Sequence, residues 1–218
     1  TCVLEHEELY IRKAGDEISQ QLYSFEDKSG RRLSLRPEMT PSLARMILQH
    51  PRSLPMPVRW FSIPQCFRYE RMTKGRRREH FQWNADIIGQ SGVTAEAEIL
   101  LLLINACREM GLTDAEFRIF LNDRRILNSI LEKIEVPPNL HDSVLVIMDK
   151  RDKVSPESFS EMLVESGMNS FQVEQLKEHL AIPELESLSK LLPDCEGITA
   201  LQELSELINI SGLSSYIQ

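Results

Sequence analysis

Two segments of alternating side chains, on either side of a loop dense in cations, occupy residues 60–89. Polar and apolar residues alternate along the later segment, a period of two that is typical of a β-strand. The polar members of that alternation are His80, Gln82, Asn84 and Asp86. In the earlier segment Arg68 and Glu70 share one face. We therefore expect two antiparallel strands. If we assume a register in which Glu70 pairs near His80, both polar sets fall on the same face of the sheet.

The loop between these strands carries five cations, with no acidic residue among them until Glu79. The cations are Arg71, Lys74, Arg76, Arg77 and Arg78. A run of charge is usually solvated surface, but the net charge of this chain is −8, so a cationic cluster is a local exception. At an effective dielectric constant near 20, a cation about 4 Å from a phosphate oxygen gains roughly 4 kcal/mol before desolvation. The pattern predicts a polyanionic partner: a nucleoside triphosphate, a nucleic acid, or both.

Composition excludes several other classes of protein. The chain has 218 residues, of which 42% are hydrophobic and 27% charged, as is typical of globular proteins with one or two domains. No apolar segment approaches the roughly 20 residues of a membrane span. The four cysteines are scattered, which fits reduced thiols, so we expect a protein of the cytoplasm or of an organellar matrix (chloroplast or mitochondrion) that is not secreted. The cysteines form no CxxC pair and the histidines no HExxH motif, so we expect no protein-held metal.

Charge divides the chain into two parts. Residues 1–131 contain 19 Lys and Arg against 17 Asp and Glu, whereas residues 132–218 contain 6 against 16, a net charge of −10. The downstream part shows only helical patterns, at about 123–135, 139–149, 156–166, 170–180, 184–192 and 198–209. We expect an α+β fold, with an antiparallel β-sheet flanked by helices in residues 1–123 and an all-helical module in residues 124–218.

Further elements of the upstream part follow from the same periodicities. They are a helix at 5–21, hairpin strands at 22–25 and 32–35, a helix at 93–110 and a strand at 117–121. Asp27–Gly30 supplies the turn of the hairpin. The run Ile99–Ile104 is apolar nearly all round its helix, which predicts that this helix is buried.

The second hairpin strand runs directly into Arg36-Pro37-Glu38. Thr40 is expected as the N-cap of the next helix, which lasts until Pro51. Glu38 is therefore delivered at a strand end beside a helix N-terminus. Its carboxylate either receives a cationic group of a ligand or merely balances the charge of Arg36.

These motifs together carry a resemblance to a known family. Residues 67–71 (FRYER) and 74–79 (KGRRRE), followed by Gln82, resemble motif 2 of the class II aminoacyl-tRNA synthetases. Residues 36–40 (RPEMT) resemble the RPE-x-T loop of that class. With Asp86 included, the chain is most similar to the histidyl-tRNA synthetases of bacteria and plant organelles. The fold this implies is a partial class II catalytic core in residues 1–123 and a helical insertion module in residues 124–218.

The resemblance implies a role for each matching residue. Arg68 is the catalytic residue, because its planar guanidinium suits both an α-phosphate and a substrate carboxylate. The residues implied to bind ATP are Arg68, Glu70, Arg76 and His80, the last standing where the family commonly has Phe. Those implied to bind histidine are Glu38, Met39, Thr40, Arg68, Gln82 and Asp86. Weaker contacts to tRNA or phosphate are implied for Lys74, Arg77 and Arg78.

Two of these roles have a direct chemical reason. A carboxylate at Glu38 suits the α-ammonium group of an amino acid. A carboxylate at Asp86 can accept an imidazole N–H, which favours histidine as the substrate.

The resemblance also implies an activity and its partners. The activity is ATP-dependent activation of histidine and its ligation to tRNA(His), with Mg²⁺ brought by the ATP. The family's dimer-forming motif 1 is represented only by a tail at residues 1–5, and a homodimer is expected of the full-length protein. A second catalytic Arg and motif 3 have no match in these residues. We therefore expect a fragment truncated before motif 3 that is inactive alone.

Three questions stay open from the sequence. The chain could instead be a non-catalytic synthetase-like paralogue that binds histidine or tRNA, or that regulates a partner enzyme. It could also serve another amino acid within the same class. In the family the helical module is inserted after motif 2. The net charge of −10 over residues 132–218 argues against a phosphate-binding face in this module, so a packing or dimer-supporting role is favoured.

Overall fold

The computed structural model describes residues 3–14, 16–50, 53–182 and 184–218. Pro51 and the first two residues of the motif 1 tail lie outside them. Contacts divide the chain into two compact units, Thr1–Ser91 and Gly92–Gln218. Helices and small antiparallel sheets make up the structure, so the predicted α+β class is confirmed.

The first unit contains every strand of the two predicted hairpins. Its elements are β1 (Leu4–His6), α1 (Glu7–Ala14), α2 (Asp16–Ser19), β2 (Ser24–Glu26), β3 (Arg32–Leu35), α3 (Thr40–Gln49), β4 (Val58–Ser62), β5 (Gln65–Phe67), β6 (Glu79–Phe81) and β7 (Asn84–Ile88).

A three-stranded antiparallel sheet has β3 at its centre, between β1 and β2. The turn between β2 and β3 forms as predicted: Gly30 N donates to the Asp27 carbonyl at 3.0 Å, and Gly30 has a φ of +75°, which glycine adopts without strain. The prediction of a helix from residue 5 is wrong at its start, because Leu4–His6 pairs with β3 as a strand. Local periodicity does not reveal a pairing between residues so far apart in sequence.

The helix after β3 begins close to where the sequence places it. Thr40 is its first helical residue, so Thr40 is not the N-cap as predicted. Met39 occupies that position, and no side chain caps the helix there. Pro41 lies in the first turn, where its missing N–H costs nothing.

The two strands predicted around the cationic loop form one long antiparallel hairpin with a single interruption. β4 pairs with β7 and β5 pairs with β6. Gln82 N donates to the Pro64 carbonyl at 3.0 Å, which carries one register through the interruption. The predicted register is wrong, because His80 lies opposite Cys66 rather than Glu70. The displacement is an even number of residues, so the predicted faces of the strands are unchanged.

The second unit is helical. Its helices are α4 (Thr94–Glu109), α5 (Arg124–Lys133), α6 (Pro138–Met148), α7 (Pro156–Glu165), α8 (Ser170–Leu180), α9 (Leu185–Leu191) and α10 (Glu196–Ile210). The predicted helices of the downstream part are confirmed, and each of their ends lies within two residues of the predicted position. Methods that assign helices differ by one or two residues at each end, so the agreement is as good as the assignment allows.

Two apolar clusters stabilise this unit. The larger cluster joins α5 to the helices that follow it, and Leu131, Val144 and Leu163 at its centre have no exposed surface. The smaller cluster joins α4 to α10, with Ile104 and Ile208 at most 1% exposed. Burial on this scale contributes about 1.5–3 kcal/mol for each large apolar side chain.

Two predictions for the second unit are wrong. Residues 117–121 are not a regular strand. Ile119 makes an isolated parallel bridge with Ile217, in which Ile119 N donates to the Tyr216 carbonyl at 2.8 Å. Helix α4 is not buried all round, because Leu102 and Leu103 are 42% and 40% exposed.

The predicted boundary at residues 123/124 differs from the division between Ser91 and Gly92 that contacts give. Charge places α4 with the upstream part, whereas α4 packs against α10 of the second unit. The sequence-based module boundary therefore stays a prediction. Among the described residues, none of the helices has the length and hydropathy to cross a membrane, and no group of His, Cys, Asp and Glu is arranged to hold a metal ion.

Candidate functional site

The segment after β3 and the strand β5 are tied together at the base of the site. Phe67 N donates to the Arg36 carbonyl at 2.8 Å. Arg36 in turn donates from Nε and Nη2 to the Gln65 carbonyl, at 3.2 and 3.0 Å. Arg68 Nε donates to the Pro37 carbonyl at 3.2 Å. The RPE-x-T and motif 2 segments, which are distant in sequence, therefore meet here.

Arg68 is half-buried, and its bond to Pro37 uses only one of its three nitrogens. Nη1 and Nη2 have no hydrogen-bond partner within the part of the chain that the structure describes. The Pro37 carbonyl thus fixes the Nε edge of the guanidinium, and the two Nη groups stay available to a ligand. This arrangement suits bidentate binding of a phosphate or a carboxylate.

A cavity of about 1040 Å³ lies beside Arg68, between β6 and the cationic loop. Its lining includes every residue predicted to bind ATP: Arg68, Glu70, Arg76 and His80. Its volume is at the upper end of the range typical of small-molecule sites. The structure thus brings the four residues together, and their contact with ATP stays a prediction.

Glu70 and Arg76 are paired with each other across this cavity. Arg76 Nη1 lies 3.2 Å from Glu70 Oε2, and the two side chains are 72% and 26% exposed. An exposed pair of this kind contributes little to stability, in the range of about 0–1 kcal/mol. A nucleotide that needs either side chain can therefore separate the pair at small cost.

Arg78 is engaged at the base of the loop. Its guanidinium carbon lies 4.1 Å from the ring centroid of Tyr69, and its Nε donates to the Glu70 carbonyl at 3.1 Å. Tyr69 is in turn packed edge-on against Tyr23, with ring centroids 5.3 Å apart. This cation–π stack holds the loop in place and leaves less of Arg78 for a phosphate than the sequence implies.

Lys74 and Arg77 differ from Arg78. Both are exposed, and neither has a hydrogen-bond or ion-pair partner within the described ranges. The turn that carries Lys74 is closed by a hydrogen bond from Arg76 N to the Thr73 carbonyl at 3.0 Å, with Gly75 at a φ of +85°. These two cations can reach a polyanion without breaking any contact.

Gln82, Asn84 and Asp86 lie on one face of the long hairpin. Opposite residues of paired strands project to the same side, and Asp86 pairs with Trp60 while Asn84 pairs with Ser62. Burial raises the pKa of the Asp86 carboxyl. Gln82 Oε1 and Asn84 Oδ1 are both buried, and neither oxygen has a hydrogen-bond partner among the residues that the structure describes. Unpaired buried acceptors are costly, so a row of them is typical of a site that receives N–H donors.

The sequence places Asn84 on this polar face, but the resemblance implies a binding role only for Gln82 and Asp86. The signal that could have found Asn84 is its place between them at a spacing of two, on the same face. Cys66, opposite His80, is completely buried, and burial raises the pKa of its thiol. It is therefore a packing residue rather than a nucleophile.

The three remaining candidates lie on the segment that Arg36 and Pro37 anchor. Glu38 is half-buried and engaged in an interaction of its own. Met39 is only 3% exposed, with its sulfur 3.8 Å from Arg36 Nη1. Thr40 is exposed. Their contact with an amino acid stays a prediction, and the buried side chain of Met39 is the least accessible of the three.

Comparison with known proteins gives one family. Residues 1–214 match the family model described as histidyl-tRNA synthetase. The chain is 43% identical over 217 residues to the chloroplastic/mitochondrial histidine–tRNA ligase of Arabidopsis thaliana, which covers 99% of this chain and 45% of that protein. It is 37% identical to the histidine–tRNA ligase of Haloarcula marismortui, covering 96% of this chain and 48% of that one.

Solved structures share the fold. The histidyl-tRNA synthetase of Nostoc sp. PCC 7120 superimposes with a TM-score of 0.83 at 20% identity, over 100% of this chain and 51% of that one. A protein of Bacillus halodurans described as an ATP phosphoribosyltransferase regulatory subunit/histidyl-tRNA synthetase gives 0.81 at 22% identity, over 100% of this chain and 57% of that one. The chain spans about half the length of the curated relatives it matches. These comparisons do not favour the non-catalytic alternative.

Proposed function

The chain belongs to the histidyl-tRNA synthetase family, and on that premise we propose that it is part of a histidine–tRNA ligase. That enzyme activates histidine with ATP and joins it to tRNA. The proposal is supported by the names of the relatives, both histidine–tRNA ligases. An organellar matrix or the cytoplasm is the proposed compartment, and the name of the Arabidopsis relative supports the first.

The observation that carries the proposal is the cavity beside Arg68. Four side chains suited to a nucleotide line it, two of them guanidinium groups. We assign the α-phosphate to the free Nη donors of Arg68, the adenine ring to His80, the adenine amino group to Glu70 and the outer phosphates to Arg76. Mg²⁺ accompanies ATP as part of the substrate.

The chemistry that follows needs no nucleophile from the protein. The carboxylate of histidine attacks the α-phosphate of ATP, and pyrophosphate leaves. Both reactants are anions, so Arg68 between them lowers their mutual repulsion and holds them in line. The acyl group then passes to the 3′ end of tRNA, for which Lys74 and Arg77 are the proposed phosphate contacts, with a smaller part for Arg78.

Selection of histidine is proposed to rest on acceptors at two ends of the substrate. Glu38 receives the α-ammonium group, with Thr40 and the main chain of Met39 beside it. Asp86 accepts a hydrogen bond from the imidazole N–H, and Gln82 lies beside the imidazole and the substrate backbone. The half-buried Asp86 carboxylate and the Gln82 Oε1 atom, which is unpaired among the described residues, support this assignment. A homodimer is proposed on family membership alone.

Calorimetry with the 218-residue chain tests both halves of the site. We expect MgATP to bind and Arg68→Ala to weaken it by at least about tenfold, because a charge-assisted bidentate contact is lost. Arg118→Ala is the matched control, since Arg118 is an exposed arginine of the second unit. For L-histidine, Asp86→Ala and Glu38→Ala should each lose about tenfold, with Asp114→Ala as the control. Wild-type histidine affinity in both variants would remove the proposed pocket.

A further inference from the structure

Arg36 is a charged side chain held almost entirely inside the first unit, with 3% of its surface exposed. A guanidinium is seldom buried to this extent unless its donors are satisfied. Two of its nitrogens converge on a single acceptor, the carbonyl of Gln65 in β5, at 3.2 and 3.0 Å. Its third nitrogen lies 3.8 Å from the sulfur of Met39. The side chain therefore spans from its own segment to the neighbouring strand.

The main chain repeats the same connection. The Arg36 carbonyl accepts from Phe67 N at 2.8 Å, so the residue holds β5 from both its side chain and its backbone. The next carbonyl along, that of Pro37, accepts from Arg68 Nε at 3.2 Å. Pro37 is itself completely buried and cannot shift without disturbing this packing. Three consecutive links thus run from the Arg36 guanidinium to the Arg68 guanidinium.

We propose that Arg36 is a positioning residue, whose buried guanidinium fixes β5 against the Arg36–Thr40 segment and so sets the plane of the Arg68 guanidinium. The inference rests on the proposed function for the ligand that Arg68 holds, but the link between the two arginines is independent of any ligand. It also assigns a use to Arg36 other than balancing Glu38.

The chemistry explains why this position needs arginine. The planar fork of a guanidinium presents two N–H groups to one carbonyl, whereas an ammonium group presents a single point of charge on a flexible stem. Without the fork the Gln65 carbonyl loses both donors. The main-chain bond from Phe67 N to the Arg36 carbonyl then holds β5 without the support of the side chain, so the position of β5 relative to Pro37 is less well fixed. An error of about 1 Å in the position of a substrate-binding group can cost on the order of a hundredfold in rate.

A double-mutant cycle on MgATP affinity separates positioning from general stability. Arg36→Met keeps the length of the side chain and removes its donors. We expect it to weaken MgATP about tenfold when Arg68 is present, and less than about twofold in an Arg68→Ala background. Arg36→Lys, which keeps the charge, should fall between Arg36→Met and the wild type, and it replaces Arg36→Met in the cycle if that variant does not fold. Arg45→Met is the matched control, because Arg45, another arginine of the first unit, is partly buried and pairs with Glu5 of β1 at 2.7 Å; it should leave the affinity within about twofold.

A second measurement needs no nucleotide. In ¹⁵N-labelled, ligand-free protein, exchange of the Arg68 Nε proton with solvent should be slow in the wild type and in Arg45→Met, and at least about tenfold faster in Arg36→Met or Arg36→Lys. If the wild type binds no MgATP, the proposed function fails while this measurement still decides the role of Arg36. Equal losses of affinity in both Arg68 backgrounds, or an Nε proton whose exchange is unchanged by substitution of Arg36, would overturn the proposal.

Discussion

Asp86 is a residue at which the proposed binding of histidine and the stability of the folded chain oppose each other. Burial raises the pKa of its carboxyl above the ordinary value of 3.8, because the charged form is poorly solvated in the folded chain. The contribution of this group to stability is therefore fully present below the unfolded pKa and is lost as pH rises through the folded pKa. At neutral pH the folded protein carries the cost of the anion, which the proposed imidazole contact would offset.

Replacing Asp86 by Asn should consequently stabilise the ligand-free protein at neutral pH. We expect the midpoint of thermal unfolding of Asp86→Asn to exceed that of the wild type by a few degrees at pH 7. The difference should shrink towards zero as pH falls below about 3.8, where both side chains are neutral. Scanning calorimetry between pH 3 and 7 measures the difference between the two proteins, which cancels other titrating groups. A gain that is independent of pH would show that the carboxylate charge is not its cause.

At the residue level, the structure brings Arg68, Glu70, Arg76 and His80 to one cavity. The period of two along a strand predicted that Arg68 and Glu70 share a face, whereas Arg76 lies in the loop and was indicated only by the resemblance to motif 2. The contact of these residues with ATP stays a prediction. The contact between Arg36 and β5 was not predicted, because the sequence suggested only the neighbouring Glu38 as a partner of Arg36. One acceptor of the Arg36 side chain is the Gln65 carbonyl, 29 residues away, and no local pattern encodes such a contact.

At the scale of elements, the same distinction between local and distant information explains the errors. The helices of the second unit were predicted well, because caps and a 3.6-residue period are local signals. Ser155 accepts from Ser158 N at 3.2 Å at the start of α7, and Asn169 and Gln172 form a capping box on α8. Strand β1 was missed because only its pairing with β3 makes it a strand.

The register of the long hairpin was wrong for a related reason. A turn sets the register, and the sequence of the cationic loop did not show that the turn closes between Thr73 and Arg76. The error was even, so it moved residues along the hairpin without moving them to the other face. Apolar alternation gave the face of each side chain, but not its exposure: Phe81 is 72% exposed.

The residue that follows helix α5, Glu135, has a backbone conformation that glycine adopts at a lower cost. Glu135 has a φ of +58°, and the bonds of Val136 N to Leu131 O at 2.9 Å and of Glu135 N to Glu132 O at 3.0 Å form a Schellman motif. A side chain at this position costs about 1–2 kcal/mol in the left-handed region. Glu135→Gly should therefore raise the free energy of unfolding by roughly 0.5–1 kcal/mol.

Urea titration of the same substitution one turn earlier provides the control for Glu135→Gly. Glu132→Gly replaces an exposed residue of the helix itself, so it should lower the free energy of unfolding by about 1 kcal/mol. The two variants are expected to change stability in opposite directions. A loss of stability in both would mean that Glu135 makes a contribution that its backbone conformation does not reveal.

At the scale of the whole molecule, charge and packing divide the chain at different places. The acidic downstream part begins within α5 or just after it, whereas the second compact unit begins at Gly92. Charge reports on solvated side chains and says little about which helices share a core. The smaller apolar cluster places α4 in the second unit, because Ala97 and Ile104 of α4 share that cluster with Leu204 and Ile208 of α10.

Expression of two fragments distinguishes these boundaries. Residues 92–218 contain both apolar clusters, so we expect a helical protein that unfolds in one cooperative transition. Residues 124–218 keep the larger cluster but lose α4, which uncovers Leu204 and Ile208 at about 1.5–3 kcal/mol for each side chain. The shorter fragment should therefore have a lower midpoint of unfolding in urea and should bind a hydrophobic dye. Equal midpoints for the two fragments would instead support residue 124 as the start of an independent module, because α4 would then contribute nothing to the core that it covers.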